Sequence, residues 1–456
     1  METQERSKML GTMEMRKLVP KVSIPIMISM LVQALYNVVD GIFVAKYSAA
    51  ALTAVSLAYP IQMLMIAVST GLGVGFNSLI SRKLGEKRAE EARDAAKNGM
   101  FTELCGYALF LVFGLLFAKP FFNLFTDDLE LQALGGEYLS IVCIFSFGPF
   151  FGICFERMMQ ATGNTVLSMV TQLTGAVINI ILDPIMIFGL LGCPAMGIAG
   201  AAIATVIGQI GGMTLGLMLN QAKNVELRLH LKGFRPNKTI LKGILDVGFP
   251  SIIMQSISSV MNVLMNMILL GFGAMAVNVL GVYFKLQSFV FMPVFGLSNG
   301  LVAILGYNYG ARMRARVYDA LKVALIWACV IMLLGTIAFL LIPEMLLSLF
   351  EAGDARDLTD MGVVALRVIS LSFLLAAVGI TISTLFQAVG KGMYSLWMSL
   401  CRQIIVLLPV AWLLSKTGNV DAVWWSFPIA ELFSVALCLL LPPAAAVFPK
   451  MRPCTL

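Results

Sequence analysis

Long apolar runs recur along almost the whole of this 456-residue sequence, and they limit the chain to few folds. Each run is long enough to cross a bilayer as a helix, and none alternates polar and apolar residues as a membrane β-strand does. With 59% hydrophobic and 12% charged residues, the chain is too apolar for a water-soluble globule. We therefore predict an all-α polytopic membrane protein with twelve spans, at 18–44, 53–81, 98–118, 136–160, 166–190, 196–220, 243–271, 277–306, 318–342, 361–388, 394–414 and 422–446.

The basic residues are placed unevenly with respect to these spans. Lys and Arg concentrate at both chain ends and in alternate loops, above all in 82–97 and 223–242, whereas each loop in between holds at most one. Because positive residues stay on the cytoplasmic side, both termini are predicted to be cytoplasmic. The net charge of +7 thus reflects membrane topology, and we expect no nucleic-acid partner.

Cysteine and histidine are used in ways that argue against catalysis and against metal binding. The 8 cysteines form no CxxC pair and lie mostly in apolar runs, where they act as small hydrophobic residues. The single histidine, His230, lies in the basic segment 221–242. We expect no enzyme activity, no cofactor and no dedicated metal site.

The two halves of the chain repeat one another. Aligning Pro25 with Pro250, an offset of 225 residues, superimposes without a gap Asn37 on Asn262, Gln62 on Gln287, Gly71 on Gly296, Gly75 on Gly300 and Gly85 on Gly310. We predict two parallel six-helix bundles, an N-terminal lobe at 1–220 and a C-terminal lobe at 243–456, joined by a cytoplasmic linker at 221–242. Such repeats are typical of transporters whose bundles rock against each other.

Two aspartates interrupt the apolar spans of the first half. Asp183 precedes Pro184 and lies four residues after Asn179, so the acid and the amide share one helix face. A carboxylate in the bilayer costs roughly 2.5–3.5 kcal/mol, which favours an ion or proton site over a buried acid satisfied by a neighbouring helix. The second acid, Asp40, is either part of such a site or reaches water near the outer end of its helix.

Other polar residues within the spans are candidates for a substrate cavity or for further ion ligands. Thr205 follows the second acid-bearing span and could supply an oxygen. The cavity candidates are Gln33, Tyr36, Asn37, Gln209, Gln255, Asn262, Lys285, Gln287 and Arg402. The second half has no buried acid matching those of the first, so we expect acids in one half and cations in the other. Lys285 and Arg402 either pair with neighbouring helices or contact the substrate.

Several motifs resemble the multidrug and toxic compound extrusion (MATE) family, and they cover nearly the whole chain. They are YNVVDGIFVA (36–45), FERMMQATGNT (155–165), NIILDPIMIFG (179–189), GIAGAAIAT (197–205), KLQSFVFMPVFGLSNG (285–300) and SLCRQIIVLLP (399–409). The sequence is most similar to the bacterial DinF/MepA-like branch. The resemblance implies a V-shaped, two-lobed antiporter of the bacterial inner membrane that exports cationic amphipathic compounds. It also implies a cation site at Asp40, Asn179, Asp183 and Thr205, with no second site on the C-terminal lobe.

The predicted mechanism is competition of two positively charged guests for the same carboxylates. Asp40 and Asp183 attract a lipophilic cation from inside and then exchange it for H⁺ or Na⁺, with Asn179 as a further oxygen ligand for Na⁺. We expect a monomer that needs only the lipid bilayer and its small-molecule substrates. A flippase for lipid-linked oligosaccharides or other amphiphiles remains an alternative, as does a passive channel. The flippase would need a cation-rich cavity, which Lys285 and Arg402 could provide.

Overall fold

A computed structural model describes residues 6–229, 234–349 and 356–440, and the regular elements within these ranges are all helical. The first half contains α1 (Arg6–Thr12), α2 (Met15–Tyr47), α3 (Ala49–Gly85), α4 (Ala89–Leu116), α5 (Ala118–Phe125), α6 (Leu129–Ile144), α7 (Phe147–Ala161), α8 (Thr165–Phe188) and α9 (Gly197–Lys223). The second half contains α10 (Lys238–Leu270), α11 (Ala274–Gly310), α12 (Arg314–Leu341), α13 (Pro343–Ser348), α14 (Arg356–Ser370), α15 (Phe373–Ala388), α16 (Gly392–Leu400), α17 (Leu408–Ser415), α18 (Val420–Trp424) and α19 (Ser426–Leu440). His230 and the chain beyond residue 440 lie outside the described residues.

The number of candidate membrane spans is consistent with the twelve that the sequence predicted. The described residues contain 10 segments long and apolar enough to cross a membrane, or 12 when each of two bent helix pairs counts as one span. The pairs are α6 with α7, bent by 41°, and α14 with α15, bent by 48°. The sequence predicted each pair as one straight span. In the first pair, Pro149 has no N–H to donate to the carbonyl of Phe145, which weakens the helix at the bend.

The longest helices extend beyond the predicted spans. Both α3 and α11 are 37 residues long, which corresponds to about 55 Å at 1.5 Å per residue. The hydrocarbon core of a bilayer is only about 30 Å thick, so both helices project into the aqueous layer. The predicted spans 53–81 and 277–306 therefore captured most of each helix and omitted three or four residues at each end.

Close backbone contacts between glycines and the opposite helix join the two halves. In one contact α3 packs on α10, where Gly71 and Gly75 lie against Ile244, Gly248 and Ile252. A Cβ atom at Gly71 would lie 2.8 Å from the backbone nitrogen of Ile252, closer than real side chains approach. Glycine is therefore required for this approach of the two backbones.

The second contact repeats the first with the halves exchanged. Here α11 packs on α2, and a Cβ atom at Gly296 would lie 2.8 Å from the backbone nitrogen of Met27. Gly300 in turn lies against Ser23. Met27 and Ile252 are 225 residues apart, the same offset that relates Gly71 to Gly296. The interface is therefore pseudo-symmetric, with each half contributing the same surface to the other.

All these contacts lie in the half of each helix nearest the Lys- and Arg-rich end of the molecule. Gly85 and Gly310 continue the contact at that end, against the backbones of Tyr307 and Arg82 respectively. The hydroxyl of Ser78 also donates across the interface, to the carbonyl oxygen of Gln387 at 2.7 Å. We call this interface, from Gly71 to Gly85 and from Gly296 to Gly310, the inner seal.

A methyl group placed in the inner seal should destabilise the protein, because the backbone opposite cannot move aside cheaply. For Gly75→Ala we expect a loss of about 1–3 kcal/mol. The matched control is Gly281→Ala, within helix α11, where a Cβ would meet nothing within 4 Å. That change should be neutral or stabilise by up to about 1 kcal/mol through helix propensity. Thermal unfolding of the purified variants in detergent measures both, and equal melting temperatures would contradict the tight seal.

Candidate cation-coupling site

The first acid, Asp183, is completely buried in α8, between α2 and α9. The helices α8 and α9 approach closely because both carry glycine where they touch. Gly208 in α9 lies against the carbonyl oxygen of Gly175 and the Cβ atom of Asn179. This contact brings Thr205, one turn before Gly208, alongside the polar face of α8.

Asn179 organises the polar groups on this face. Its Nδ2 atom donates to Oδ1 of Asp183 at 3.2 Å and to Oγ1 of Thr205 at 3.2 Å. The amide oxygen of Asn179 and Oδ2 of Asp183 are buried and have no hydrogen-bond partner. The donors of the amide are thus used within the protein, and two oxygens remain available to a guest.

The second acid reaches the same point from α2. The carboxyl groups of Asp40 and Asp183 lie within hydrogen-bonding reach of each other. Oδ1 of Asp40 is also buried without a partner. One turn earlier in α2, Tyr36 makes a side-chain hydrogen bond with Thr205. The structure therefore brings together all four residues that the sequence predicted for the ion site, from three different helices.

The chemistry of this cluster favours one additional positive charge. Two ionised carboxylates in contact repel each other strongly in an apolar surrounding, unless one is protonated or a cation lies between them. Three buried oxygens without partners, one each on Asp40, Asn179 and Asp183, could accept hydrogen bonds or coordinate a cation. The described residues contain no group of three or more His, Cys, Asp or Glu side chains that could hold a metal ion, and this cluster has only two acids.

The sequence did not identify two residues of the site, Tyr138 and Gln62. Tyr138 in α6 is 3% exposed and interacts electrostatically with both Asp40 and Asp183. Its hydroxyl oxygen accepts a hydrogen bond of 3.0 Å from Nε2 of Gln62 in α3. Gln62 was visible in the sequence only as a member of the repeat. Nothing in the sequence pointed to Tyr138, because a residue in an apolar span gives no indication of which helix it faces.

The cavity candidates are more dispersed than the ion site. The side chains of Gln33, Tyr36, Gln209, Asn262 and Gln287 are partly exposed, those of Gln255 and Lys285 are exposed, and that of Asn37 lies outside the described part of the structure. Gln209 packs against Gly148 of α7. Gln255 accepts a hydrogen bond of 2.9 Å from Thr70 of the other half. Because Thr70 adjoins Gly71, Gln255 lies directly beside the inner seal.

The second half contains a mostly buried acid, Glu431, so the expected division into acids in one half and cations in the other is wrong. Nη1 of Arg402 lies 3.0 Å from Oε1 of Glu431 in α19, and the Glu431 side chain is only 14% exposed. The sequence comparison considered only acids aligned with Asp40 and Asp183, and Glu431 aligns with neither. Arg402 is the second residue of a π-helical segment, Cys401–Leu407, a feature that often marks functional positions. Arg402 is therefore one partner of an interhelical ion pair.

Comparison with known proteins agrees with this architecture. The MatE family model matches residues 25–185 and 250–413, once in each half. The multidrug export protein MepA of Staphylococcus aureus (strain MRSA252) is 28% identical over 425 residues, 92% of this chain and 90% of MepA. MepA of Staphylococcus haemolyticus is 27% identical over 420 residues, 91% of each chain.

Solved structures give the same result over nearly the full length. A multidrug resistance MATE family transporter of the MOP superfamily, in an outward-facing conformation, is similar with a TM-score of 0.92 and 26% identity, covering 99% of this chain and 100% of that one. A MOP superfamily transporter from Pyrococcus furiosus, described as having a binding pocket of reverse polarity that suggests a different function, gives a TM-score of 0.90 and 26% identity. It covers 96% of this chain and 97% of its own.

Removing one partner of the Arg402–Glu431 pair should cost more than removing both. Arg402→Met leaves a mostly buried carboxylate without its counter-ion, which we expect to lower stability by about 3 kcal/mol. The double variant Arg402→Met with Glu431→Met should recover most of that loss. Melting temperatures of the two single variants and the double variant complete a double-mutant cycle. Purely additive losses would show that the two side chains do not stabilise each other.

Proposed function

Because the chain belongs to the MatE family of membrane transporters, we propose that it exports cationic amphipathic compounds in exchange for an inward-moving H⁺. As a member of this family it is a multi-pass membrane transporter and not an enzyme. The substrate class is supported by relatives over nine-tenths of the chain that are named as multidrug export proteins. The contact between Asp40 and Asp183 is the observation that carries the exchange mechanism.

The proposed exchange follows from the charge of that pair. When the pair holds a proton, its net charge is reduced and its attraction for a lipophilic cation falls. When the proton leaves, both carboxylates are ionised, and a cation is the most favourable neighbour. A one-for-one exchange of H⁺ for a monovalent cation moves no net charge, so the pH gradient supplies the driving force. A difference of one pH unit corresponds to about 1.4 kcal/mol, enough for a roughly tenfold concentration ratio of substrate.

The inner seal supports the direction of this cycle. It lies at the Lys- and Arg-rich end of the molecule, which the positive-inside rule assigns to the cytoplasm together with both termini. The described conformation is then sealed toward the cytoplasm and offers the coupling site to the opposite side. In this proposal residues 1–220 and 243–456 form the two rocking lobes of a monomer in the bacterial plasma membrane, with 221–242 as the cytoplasmic linker.

The flippase alternative receives less support. It needs cations facing an amphiphile with a negatively charged head group, and the sequence offered Lys285 and Arg402. The charge of Arg402 is compensated by Glu431 at 3.0 Å. The interior cluster that is best defined, around Asp40 and Asp183, has the opposite sign. The relative with a pocket of reverse polarity is therefore not the functional model that these residues favour.

Asp183→Asn should abolish export while the protein still folds and inserts, because asparagine preserves the shape and removes the exchangeable charge. Asp127→Asn, a change of the same chemistry at an exposed position, should export like the wild type. The measurement is uptake of a fluorescent lipophilic cation into proteoliposomes under an imposed pH gradient. Export by Asp183→Asn at the wild-type rate would refute the role of this acid.

The coupling ion is tested by imposing pH and Na⁺ gradients separately on the same proteoliposomes. We expect the pH gradient alone to drive transport. Transport driven by a Na⁺ gradient alone would mean that the coupling ion bound by the oxygens of Asp40, Asn179 and Asp183 is Na⁺ and not H⁺. Transport that follows only the substrate gradient, with no response to either ion, would contradict antiport and indicate a passive channel.

A further inference from the structure

A third buried acid of the first half takes no part in the site described above. Glu103, in the middle of α4, is completely buried. Its Oε2 atom accepts a hydrogen bond of 3.0 Å from the hydroxyl of Ser69 in α3, whereas its Oε1 atom is buried with no hydrogen-bond partner. An ionisable group held inside the membrane at this cost is a candidate for transport of charge.

This acid is separated from the coupling site by two turns of α3. Ser69 is seven residues from Gln62, the residue that binds Tyr138 in the coupling site. Seven residues of helix span about 10 Å and return to the same face. Glu103 therefore lies closer to the inner seal than Asp40 and Asp183 do. The residues that connect the two acidic sites to α3, Gln62 and Ser69, thus lie on one face of that helix.

The nearest cation to Glu103 is directed elsewhere. Arg157 in α7 is 6% exposed and interacts electrostatically with Glu103 and with its neighbour Glu156. However, Nη1 of Arg157 donates to Oε1 of Gln160 at 2.9 Å, and Nε2 of Gln160 donates to Ser168 at 3.0 Å. Ser168 belongs to α8, the helix of Asp183. The guanidinium thus donates to Gln160, which joins α7 to α8, and Oε1 of Glu103 is left without a donor.

The two carboxyl groups and the guanidinium around Glu103 sum to one negative charge when all three are charged and the thiol of Cys154 keeps its proton. Among the described residues, those with an electrostatic contact to this cluster come from α7, namely Cys154, Glu156 and Arg157. The helix α3 contributes the hydroxyl of Ser69, and the described parts of α6 and α10 contribute no charged contact to Glu103. With one cation for two acids, the cluster is balanced when it holds one proton.

The position of α3 connects this cluster to the inner seal. Ser69 and Gly73, four residues apart, face α4 and α7, and a Cβ atom at Gly73 would lie 3.0 Å from Cγ of Arg157. Gly71 and Gly75 on the other face form the seal against α10. The residue that is hydrogen-bonded to Glu103 and the glycines of the inner seal therefore lie on opposite faces of the same stretch of α3.

We propose that Glu103 is a second proton-binding site, which holds a proton on Oε1 while the inner seal is closed and releases it as the seal opens. On release, the carboxylate becomes charged, and the Arg157 guanidinium turns from Gln160 to Glu103 as its counter-ion. This movement leaves Gln160, the residue that joins α7 to α8, without its donor from Arg157, and it shifts α3 against α10. The inference rests on the proposed export function only for the direction in which the seal opens during transport.

The test is a pH titration of the inner seal itself, without any transported compound. Spin labels replace the exposed Arg88 and Met393, near the cytoplasmic ends of the two halves, in full-length protein whose eight native cysteines are changed to alanine. Electron–electron distance measurements in lipid nanodiscs then follow the separation of the labels. In the wild type the labels should move apart as the pH rises, because loss of the proton opens the seal.

In Glu103→Gln the inner seal should remain closed across the titration, or the midpoint of its opening should shift by more than tenfold in proton concentration. Glu103→Asp retains an acid and should retain a transition, which separates the loss of the proton from a folding defect. Glu156→Gln should also retain it. A wild-type transition in Glu103→Gln, or its loss in Glu156→Gln alone, would overturn the proposal. Asp183→Asn should lose export but keep the Glu103 transition, so a failure of the export function is recognised separately.

Discussion

The close backbone contact between the two halves is the constraint on which the rest of the structure depends. Four glycines allow α3 to touch α10 and α11 to touch α2 without intervening side chains. Side-chain packing cannot rely on a hydrophobic driving force inside a bilayer, so small residues and backbone approach determine where helices meet. Because the contacts of one pair are repeated in the other at the same sequence offset, the halves meet through equivalent surfaces.

This interface also explains why ionisable groups lie where they do. Asp40, Asp183 and Glu103 all belong to the first half and lie on helices that contact α2 or α3, the two helices this half contributes to the inner seal. These acids are therefore held next to the helices that join the halves. In the second half, by contrast, Glu431 already has Arg402 as a counter-ion. An acid with its own counter-ion has little need of an external one, which gives the two halves different chemistry on the same framework.

The polar interior of the first half is extended rather than a single point. From the two aspartates it continues through Tyr138 and Gln62 to α3, and two turns farther along that helix it resumes at Ser69 and Glu103. Glycines allow close packing around the polar groups as well as in the inner seal. Gly208 brings Thr205 close to Asn179, and Gly73 leaves space for Arg157. In this protein the small residues determine both where helices touch and where buried charges are accommodated.

The sequence by itself determined the membrane class, the helical fold, the repeat and the acids and amide of the candidate site. These properties depend on hydrophobic length, on spacing within one helix and on the cost of a charge in lipid, which are all local. Only the tertiary structure decided the bends at α6–α7 and α14–α15, the pairing of Arg402 with Glu431, and the presence of Tyr138 beside the aspartates. Those features depend on which helix faces which. An apolar span looks the same from the sequence on every side, so its neighbours emerge only when the helices pack.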